Sequence, residues 1–484
     1  MQDVLYYMPK IRHKEVTVCM KVCLLNDSFP PAMDGVVNVV LNYAEHLRED
    51  HGVAVAVGTP EYPDAHYEQY PYKVIAYPSL DTTALMSGYR AGYPFSGKAL
   101  EGLSAFEPDV IHSHCPVAST ILGRLLREQV DAPLVFTYHT KFDIDIHRAV
   151  KLPHAAEETI RAMVANIEAV DEVWVVSRGA GENLKSLGYT GAYRVMNNGV
   201  DFARGRVDGE TVAKVTAGYD LPAGVPVLLF VGRMMTYKGL PLMLDALKLL
   251  SDAGQDFRMV FIGKGPDREL MEQKAHNLGL EGKCIFVGPV YDRDQLRAWN
   301  TRADLFLFPS TFDTNGLVVR EAAACGLACV LIKDSCAAEG IMDGRNGFLI
   351  DETPQAMAAL LKEICPDLPR LHEIGQHAMD EIYLSWQSAV DAAYDRYGAI
   401  LDLKRSGALP PKRKLPADYL VALASRSMEE RVRRRRIRLE LLSDFKETAQ
   451  GMMENIQEAQ KNAEQRWARV AEDIQRELDA LKKR

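Results

Sequence analysis

Two cations five residues apart open the list of side chains that could do chemistry in this chain. Arg233 directly follows the apolar run Val-Leu-Leu-Phe-Val-Gly, and Lys238 stands just before Gly239 and a helical pattern. Cations at the carboxyl end of a parallel strand lie where open α/β sheets bind ligands. There they could neutralise a diphosphate leaving group as its charge develops. Two ordinary surface cations would read the same way. The segment 309–326, Pro-Ser-Thr-Phe-Asp-Thr-Asn-Gly-Leu-Val-Val-Arg-Glu-Ala-Ala-Ala-Cys-Gly, adds Asp313 and Glu321 on either side of a glycine-initiated helix start. Glu321 interrupts an apolar run, so its charge needs a partner. A polyol suits it, because a carboxylate accepts two hydroxyl hydrogen bonds at once. A salt bridge to Arg320 or Lys333 is the plainer alternative.

His139 closes the apolar run Leu134–Tyr138, with Asp143 and Asp145 nearby in sequence. A histidine there can orient an acceptor or share a proton, or it can be a satisfied structural residue. His112, His114 and Cys115 follow another apolar run. Neighbouring positions on an extended strand, such as 114 and 115, face opposite sides unless the loop bends, which argues against a shared metal. Gly35, in Pro-Pro-Ala-Met-Asp-Gly-Val, lets the chain turn from strand to helix and offers helix N-terminal amides to an anion. One glycine is short of the three-glycine dinucleotide pattern, and a plain turn fits as well.

These residues need a scaffold that brings strand ends together, and the hydrophobic pattern supplies one. Apolar strands are expected at Val16–Leu25, Val53–Val57, Val110–His112, Leu134–Tyr138 and Glu172–Val176. Helical patterns lie between them at Val36–Leu47, Val117–Glu128 and Ala155–Ala169. Residues 59–100, rich in Tyr, Pro and Gly, read as loops with short elements. After Pro222 the cadence restarts, with strands at Val227–Val231, Arg258–Ile262, Ile285–Val287, Leu305–Pro309 and Ala328–Ile332, again separated by helices. Alternation of this kind builds parallel sheets from βαβ units. Two Rossmann-like domains follow, with a boundary near residues 203–222.

The composition agrees with a large folded enzyme. The chain has 484 residues and 54.0 kDa, with 47% apolar and 25% charged residues. Disorder, collagen-like repeats and disulfide miniproteins are excluded. Eight scattered cysteines form no CxxC pair, and most sit in apolar runs as small hydrophobes. No signal-peptide core and no membrane-length apolar window occurs, so the expected location is the cytoplasm or the inner face of a membrane. The net charge of -9 is uneven: residues 403–484 hold 20 Lys/Arg against 13 Asp/Glu, leaving the acidic balance to the body.

That tail begins with a linker around Leu409–Lys414 and continues as an amphipathic stripe from Leu442 through Phe445, Met452 and Ile456 to Trp467, Ile474 and Leu481. Its three-four spacing has one extra four-residue step, as a helix with a heptad-like seam would. Self-association into a homo-oligomer would bury it. The arginines at 431, 433–436 and 438 also suit an anionic membrane surface. Nucleic acid is not expected as a partner, since the body is acidic and no reading module is present.

Taken together, residues 18–395 resemble the retaining glycosyltransferases with two facing Rossmann-like domains, of the family 4 type. The resemblance runs through Gly35, His-Ser-His at 112–114, Tyr-His-Thr at 138–140, Asn-Asn-Gly-Val-Asp at 197–201, the Gly232–Gly239 segment, Gly-Lys-Gly-Pro at 263–266 and the acidic segment at 313–321. The family carries two glutamates there with seven residues between them; here the first is Asp313. The resemblance implies an α/β chain of GT-B architecture: an acceptor-side domain at 1–202, a nucleotide-sugar domain at 203–402, and a linker with a C-terminal helical extension at 403–484. It implies that Gly35 lies against the donor diphosphate, that Arg233 and Lys238 bind it, and that Glu321 holds the ribose. Asp313 would lie near the sugar, His139 would hydrogen-bond a sugar hydroxyl, and Asn315, Gly316 and Leu317 would lend backbone contacts. It implies no bound metal and no tightly held cofactor, the nucleotide diphosphate sugar being a substrate. The Tyr-His-Thr stretch with the charged tail is most similar to diacylglycerol glycosyltransferases. The expected reaction is therefore transfer of a hexose from UDP-glucose or UDP-galactose to a hydroxyl acceptor, a diacylglycerol-type lipid. A soluble transferase acting on sugars, glycans or small metabolites is the alternative, and a non-catalytic nucleotide-sugar scaffold is a third.

Overall fold

The structure, a computed structural model, describes residues 19–82, 90–150 and 152–410, and the separate positions Arg434, Lys461, Gln465, Glu472 and Arg476; at 144, 145, 148 and 149 it describes the backbone alone. The chain divides into two compact units, Met1–Ala422 and Leu423–Arg484.

The first unit holds two parallel sheets. Strands β1 (Lys21–Leu25), β2 (Ala54–Pro60) and β3 (Lys73–Tyr77) come first, followed by the short hairpin β4 (Ser79–Asp81) and β5 (Arg90–Gly92). Then come β6 (Val110–Ser113), β7 (Leu134–Tyr138), β8 (Glu172–Val175) and β9 (Arg194–Val195). The seven-stranded sheet runs β3-β2-β1-β6-β7-β8-β9, all parallel. The second sheet uses β10 (Val227–Val231), β11 (Arg258–Ile262), β12 (Cys284–Gly288), β13 (Leu305–Phe308), β14 (Cys329–Ile332) and β15 (Phe348–Ile350). Its order is β12-β11-β10-β13-β14-β15, again parallel. These are two Rossmann-like α/β domains in the GT-B arrangement. In each sheet the order reverses beside the first strand, between β1 and β6 and between β10 and β13. Such switch points leave a crevice at the carboxyl ends of the strands.

The central strands are continuous apolar runs because helices cover both faces. Val227–Val231 and Leu134–Tyr138 are buried at every position. The edge is different. β3 shows only one fully buried residue, and its mixed sequence Lys-Val-Ile-Ala-Tyr lies inside the stretch read as loops from sequence. That stretch also holds the hairpin and a helix, Gly97–Ser104, capped by Ser96 Oγ, which accepts from the Ala99 amide at 3.3 Å. The first helix, Gly35–Glu49, has a strong start: Asp34 Oδ1 accepts from the amides of Val36 and Val37, each at 2.8 Å.

The last described helix of this unit, Trp386–Arg405, follows the second domain in sequence but packs on the first. Trp386, Val390, Ala393 and Tyr397 are buried in one cluster with Tyr43 and Trp174. Tyr397 stacks on Trp174 with centroids 5.3 Å apart, and Arg396 Nε donates to Glu172 Oε1 at 2.8 Å. The crossover meets this returning segment closely: a Cβ at Gly199 would fall 2.5 Å from the Ser385 carbonyl carbon and oxygen, so a larger residue would force the backbones apart.

In the second unit the five described positions have helical backbone and are exposed, and Arg476 Nη2 lies 3.7 Å from Glu472 Oε2 one turn away. The stripe expected from Leu442 to Leu481, and the arginine cluster apart from Arg434, lie outside the described residues. Among the described residues no helix is long and apolar enough to cross a membrane.

Candidate active site

Lys238 and the acidic segment meet at the second domain's switch point. Lys238 leaves a single 3-10 turn, Thr236–Lys238, in the loop after β10, and Asp313 stands in the loop after β13. Lys238 Nζ reaches Asp313 Oδ1 at 2.6 Å, while Ser310 Oγ donates to Oδ2 at 2.5 Å. Both carboxylate oxygens are therefore engaged within the protein. Gly239 makes the approach of the two loops possible: its φ is +78°, and an added Cβ would sit 2.3 Å from the Pro309 carbonyl oxygen. Arg233 is exposed and forms no ion pair among the described residues.

The rest of the acidic segment turns into the helix Leu317–Ala324 through Gly316, whose φ is +59°. Asn315 is buried; its Oδ1 accepts from Arg320 Nε at 3.3 Å, and its Nδ2 has no partner among the described residues. Leu317, the first helical residue, is half-buried against the core. Arg320 also donates to the Ile382 carbonyl at 2.9 Å, so it does not pair with Glu321. Glu321 takes Arg293 instead, Nη2 to Oε1 at 2.6 Å, and the same Nη2 contacts Asp201. Burial pushes the Glu321 carboxyl above its ordinary range, and Arg293 offsets part of that rise. Neither Arg293 nor Asp201 stood out as a site residue in the sequence, where nothing marks residues 28 and 120 positions from Glu321 as its neighbours.

Across the crevice, the first domain contributes His139. Its carbonyl accepts from Thr314 Oγ1 at 2.6 Å, and Ser177 Oγ donates to the Thr314 carbonyl at 2.5 Å. Lys141 Nζ donates to the Thr311 carbonyl at 3.1 Å. The acidic segment is thus tied to both domains. The His139 ring is buried and stacks on His114, with His114 Nδ1 and His139 Nε2 sharing a hydrogen bond of 3.0 Å. His139 Nδ1 has no partner among the described residues. Burial holds His139 down to about 3, and lowers His112 and His114 well below the ordinary value, so all three rings are neutral near neutral pH.

His112 and His114, two positions apart, face the same side, as alternation along a strand requires. Their ring centroids are 4.0 Å apart. Beyond Ser113 the His114 amide continues the ladder of β6 on β1, donating to the Leu25 carbonyl at 2.8 Å. His112 Nδ1 pairs with the Tyr397 hydroxyl at 2.5 Å and Nε2 with Thr137 Oγ1 at 2.7 Å. Among the described residues no group of three or more His, Cys, Asp or Glu is placed to hold a metal ion. Gly35 is the first residue of its helix, and a Cβ there would meet nothing within 4 Å, so it faces open space. No hydrogen bond links it to the Lys238–Asp313 pair among the described residues. Asp143 Oδ1 is buried without a partner among the described residues, and the Asp145 side chain lies outside them.

Residues 33–204 match the model of Glycosyltransferase Family 4, and residues 215–380 match that of Glycosyl transferases group 1. The chain is a GT-B glycosyltransferase related to several nucleotide-sugar transferases. Among the curated relatives of this glycosyltransferase is D-inositol 3-phosphate glycosyltransferase 2 of Catenulispora acidiphila, 29% identical over 334 residues, which span 64% of this chain and 76% of the relative. Alpha-monoglucosyldiacylglycerol synthase of Streptococcus pneumoniae is 25% identical, over 63% of this chain and 70% of its own. Among solved structures, Anabaena Alr3699/HepE in complex with UDP superposes with a TM-score of 0.63 at 19% identity, covering 78% of this glycosyltransferase and all of that chain. That likeness is one of fold.

Proposed function

We propose that the protein transfers a hexose, glucose or galactose, from its UDP derivative to a hydroxyl of a diacylglycerol-type membrane lipid, with retention of anomeric configuration. The first domain, 1–202, would receive the acceptor and the second, 203–402, the nucleotide sugar. The observation that carries the reading is the Lys238–Asp313 pair at the carboxyl ends of β10 and β13, with Arg233 in the loop after β10 and without an ion pair among the described residues. In the reaction the bond from the anomeric carbon to the diphosphate oxygen breaks, and the oxygen leaves with the electron pair. Arg233 and Lys238 stabilise that charge. The acceptor oxygen bonds the same carbon from the same face, and its proton passes to the departing phosphate oxygen. The buried histidines are neutral, so His139 serves as a hydrogen-bonding group to a sugar hydroxyl through its open Nδ1.

Two features support a lipid acceptor. The Streptococcus pneumoniae synthase, named for a glucosyldiacylglycerol product, matches over 63% of this chain. Large apolar side chains are also exposed in the first domain's loops: Met33 after β1, Leu80 and Tyr93 at the hairpin, Val117 after β6, and Leu152 beyond β7. The match to the inositol phosphate enzyme favours a soluble acceptor instead. Product analysis with UDP-glucose and UDP-galactose decides between them. Glycolipid formed on diacylglycerol vesicles, with an α-linkage from the α-linked donor, is the expected result. Product on sugars or polyols alone rejects the lipid acceptor, and an inverted linkage rejects retention.

A further inference from the structure

Glu321 is an unusual place for an ionised group. Its helix is flanked by the buried residues Val319, Ala322, Ala323 and Ala324, and only 13% of its side chain is exposed. An isolated carboxylate in such surroundings takes up a proton and becomes a donor on one oxygen. What prevents this is a guanidinium delivered from a different element. Arg293 opens the helix Arg293–Arg302, which Asp292 caps by accepting from the Gln295 amide at 2.9 Å. From there it lies over the Phe202 ring, 4.4 Å from its centroid, and one nitrogen, Nη2, touches both Glu321 and Asp201. Asp201 and Phe202 both belong to the crossover that leads from the first domain to the second.

The clamp is asymmetric. Glu321 Oε1 is taken by Arg293, while Oε2 has no hydrogen bond among the described residues. A carboxylate fixed in this way presents one free oxygen, and the second lone pair of the other, in a defined plane. A vicinal diol fits such an acceptor pair. The stacked, planar guanidinium sets that plane; a lysine would supply charge without the fork or the stack.

We propose that Arg293 is a positioning residue: clamped between Phe202 and Asp201, it fixes the Glu321 carboxylate so that it accepts the vicinal diol of the donor's ribose. The inference rests on the reading that Glu321 meets the ribose. It assigns a role to the crossover that neither the sheets nor the acidic segment carries. The charged and titratable groups facing Glu321 are Arg293 and Asp201, with the Cys325 thiol on its own helix also sensing its charge.

The test uses the full chain and two probes, UDP and 2′-deoxy-UDP, with affinities measured by calorimetry. The native protein is expected to prefer UDP by roughly 10- to 100-fold, the range for a hydrogen bond to a charged group. Arg293→Met should bring the ratio close to one, and Arg293→Lys should restore part of it. Phe202→Leu, which removes the stack and keeps the charge, should give an intermediate ratio; it also serves if Arg293→Met does not fold. Glu321→Ala separates the two levels of the argument. If Glu321→Ala abolishes the preference while Arg293→Met and Phe202→Leu keep it in full, the positioning role is overturned and the ribose assignment stands. If Glu321→Ala keeps the preference, the ribose assignment itself fails. A merely structural role for Arg293 would lower stability and weaken both ligands equally, leaving the ratio unchanged, and that result also overturns the proposal.

Discussion

Lys238 Nζ and Asp313 Oδ1 stand 2.6 Å apart and join the loops that follow two neighbouring strands of the second sheet. The lysine side chain is 12% exposed and the aspartate 23%, so the pair sits at the edge of the crevice. Ser310 holds the other aspartate oxygen, which leaves the lysine little freedom to swing. The short side chain at 313 thus sets the position of a cation, and the two residues act as one unit.

Removing the cations should therefore be costly to turnover. Lys238→Ala and Arg233→Ala are each expected to lower kcat by about 10²-fold, the scale for losing one oxyanion-stabilising donor. Steady-state rates with intact UDP-hexose check this. Near-normal turnover in both variants would remove these residues from the mechanism.

Asp313→Ala tests the unit from the other side. It leaves Lys238 without its partner and should cost about 1–3 kcal/mol of stability. Asp313→Asn, which keeps an oxygen for the lysine, should lose less. Urea unfolding of both variants gives the comparison, and equal stability of all three proteins would show that the pair contributes nothing to the fold.

The histidine cluster makes stability depend on pH. His139 titrates at about 3 when folded, and His112 and His114 also lie far below the ordinary 6.5. Below 6.5 the unfolded chain therefore binds protons that the folded chain does not. Stability should be flat above that value and fall as pH drops from 6.5 toward 3, with uptake of up to three protons on unfolding. Melting curves between pH 4 and 8 measure the slope. His139→Asn should reduce it by about one proton.

Tyr397 carries both packing and a hydrogen bond between the last helix and the first domain. Tyr397→Ala should cost about 3–5 kcal/mol, as other large aromatic truncations in cores do. Tyr397→Phe keeps the stack on Trp174 but strands His112 Nδ1, at a cost of about 1–3 kcal/mol. Chemical denaturation separates the two contributions, and a silent Tyr397→Phe would mean that His112 finds another partner.

The tail can be tested without touching the sheets by ending the chain after residue 410, beyond the helix that finishes at Arg405. Self-association should be lost, and binding to anionic vesicles should weaken, as the cationic balance of residues 403–484 implies. Light scattering and vesicle sedimentation read the two effects separately. Full-length protein that stays monomeric yet binds vesicles would assign the tail to the membrane alone.

The interior of both sheets was legible because a strand covered on both faces must be apolar throughout, as Val227–Val231 is. β3 was not, because an edge strand can afford Lys73 and partly exposed residues and so loses its pattern. The places of Arg233, Lys238, Asp313 and Glu321 beside strand ends and a helix start were legible, and the structure pairs Lys238 with Asp313. The partners were harder. Arg320 is next to Glu321 in sequence, yet its side chain goes to Asn315 and Ile382, while Arg293 arrives from a separate helix.

The return of helix Trp386–Arg405 to the first domain has a consequence for synthesis. The sheet that it covers is finished at Val195, but Tyr397 leaves the ribosome some two hundred residues later. At roughly 5–20 residues per second this interval is on the order of 10–40 s. Throughout it, the nascent chain presents Trp174, Tyr43 and their neighbours without the helix that later buries them. Newly made first domain is therefore a natural client for chaperones, and ribosome stalling before residue 400 leaves a sticky intermediate rather than a finished half.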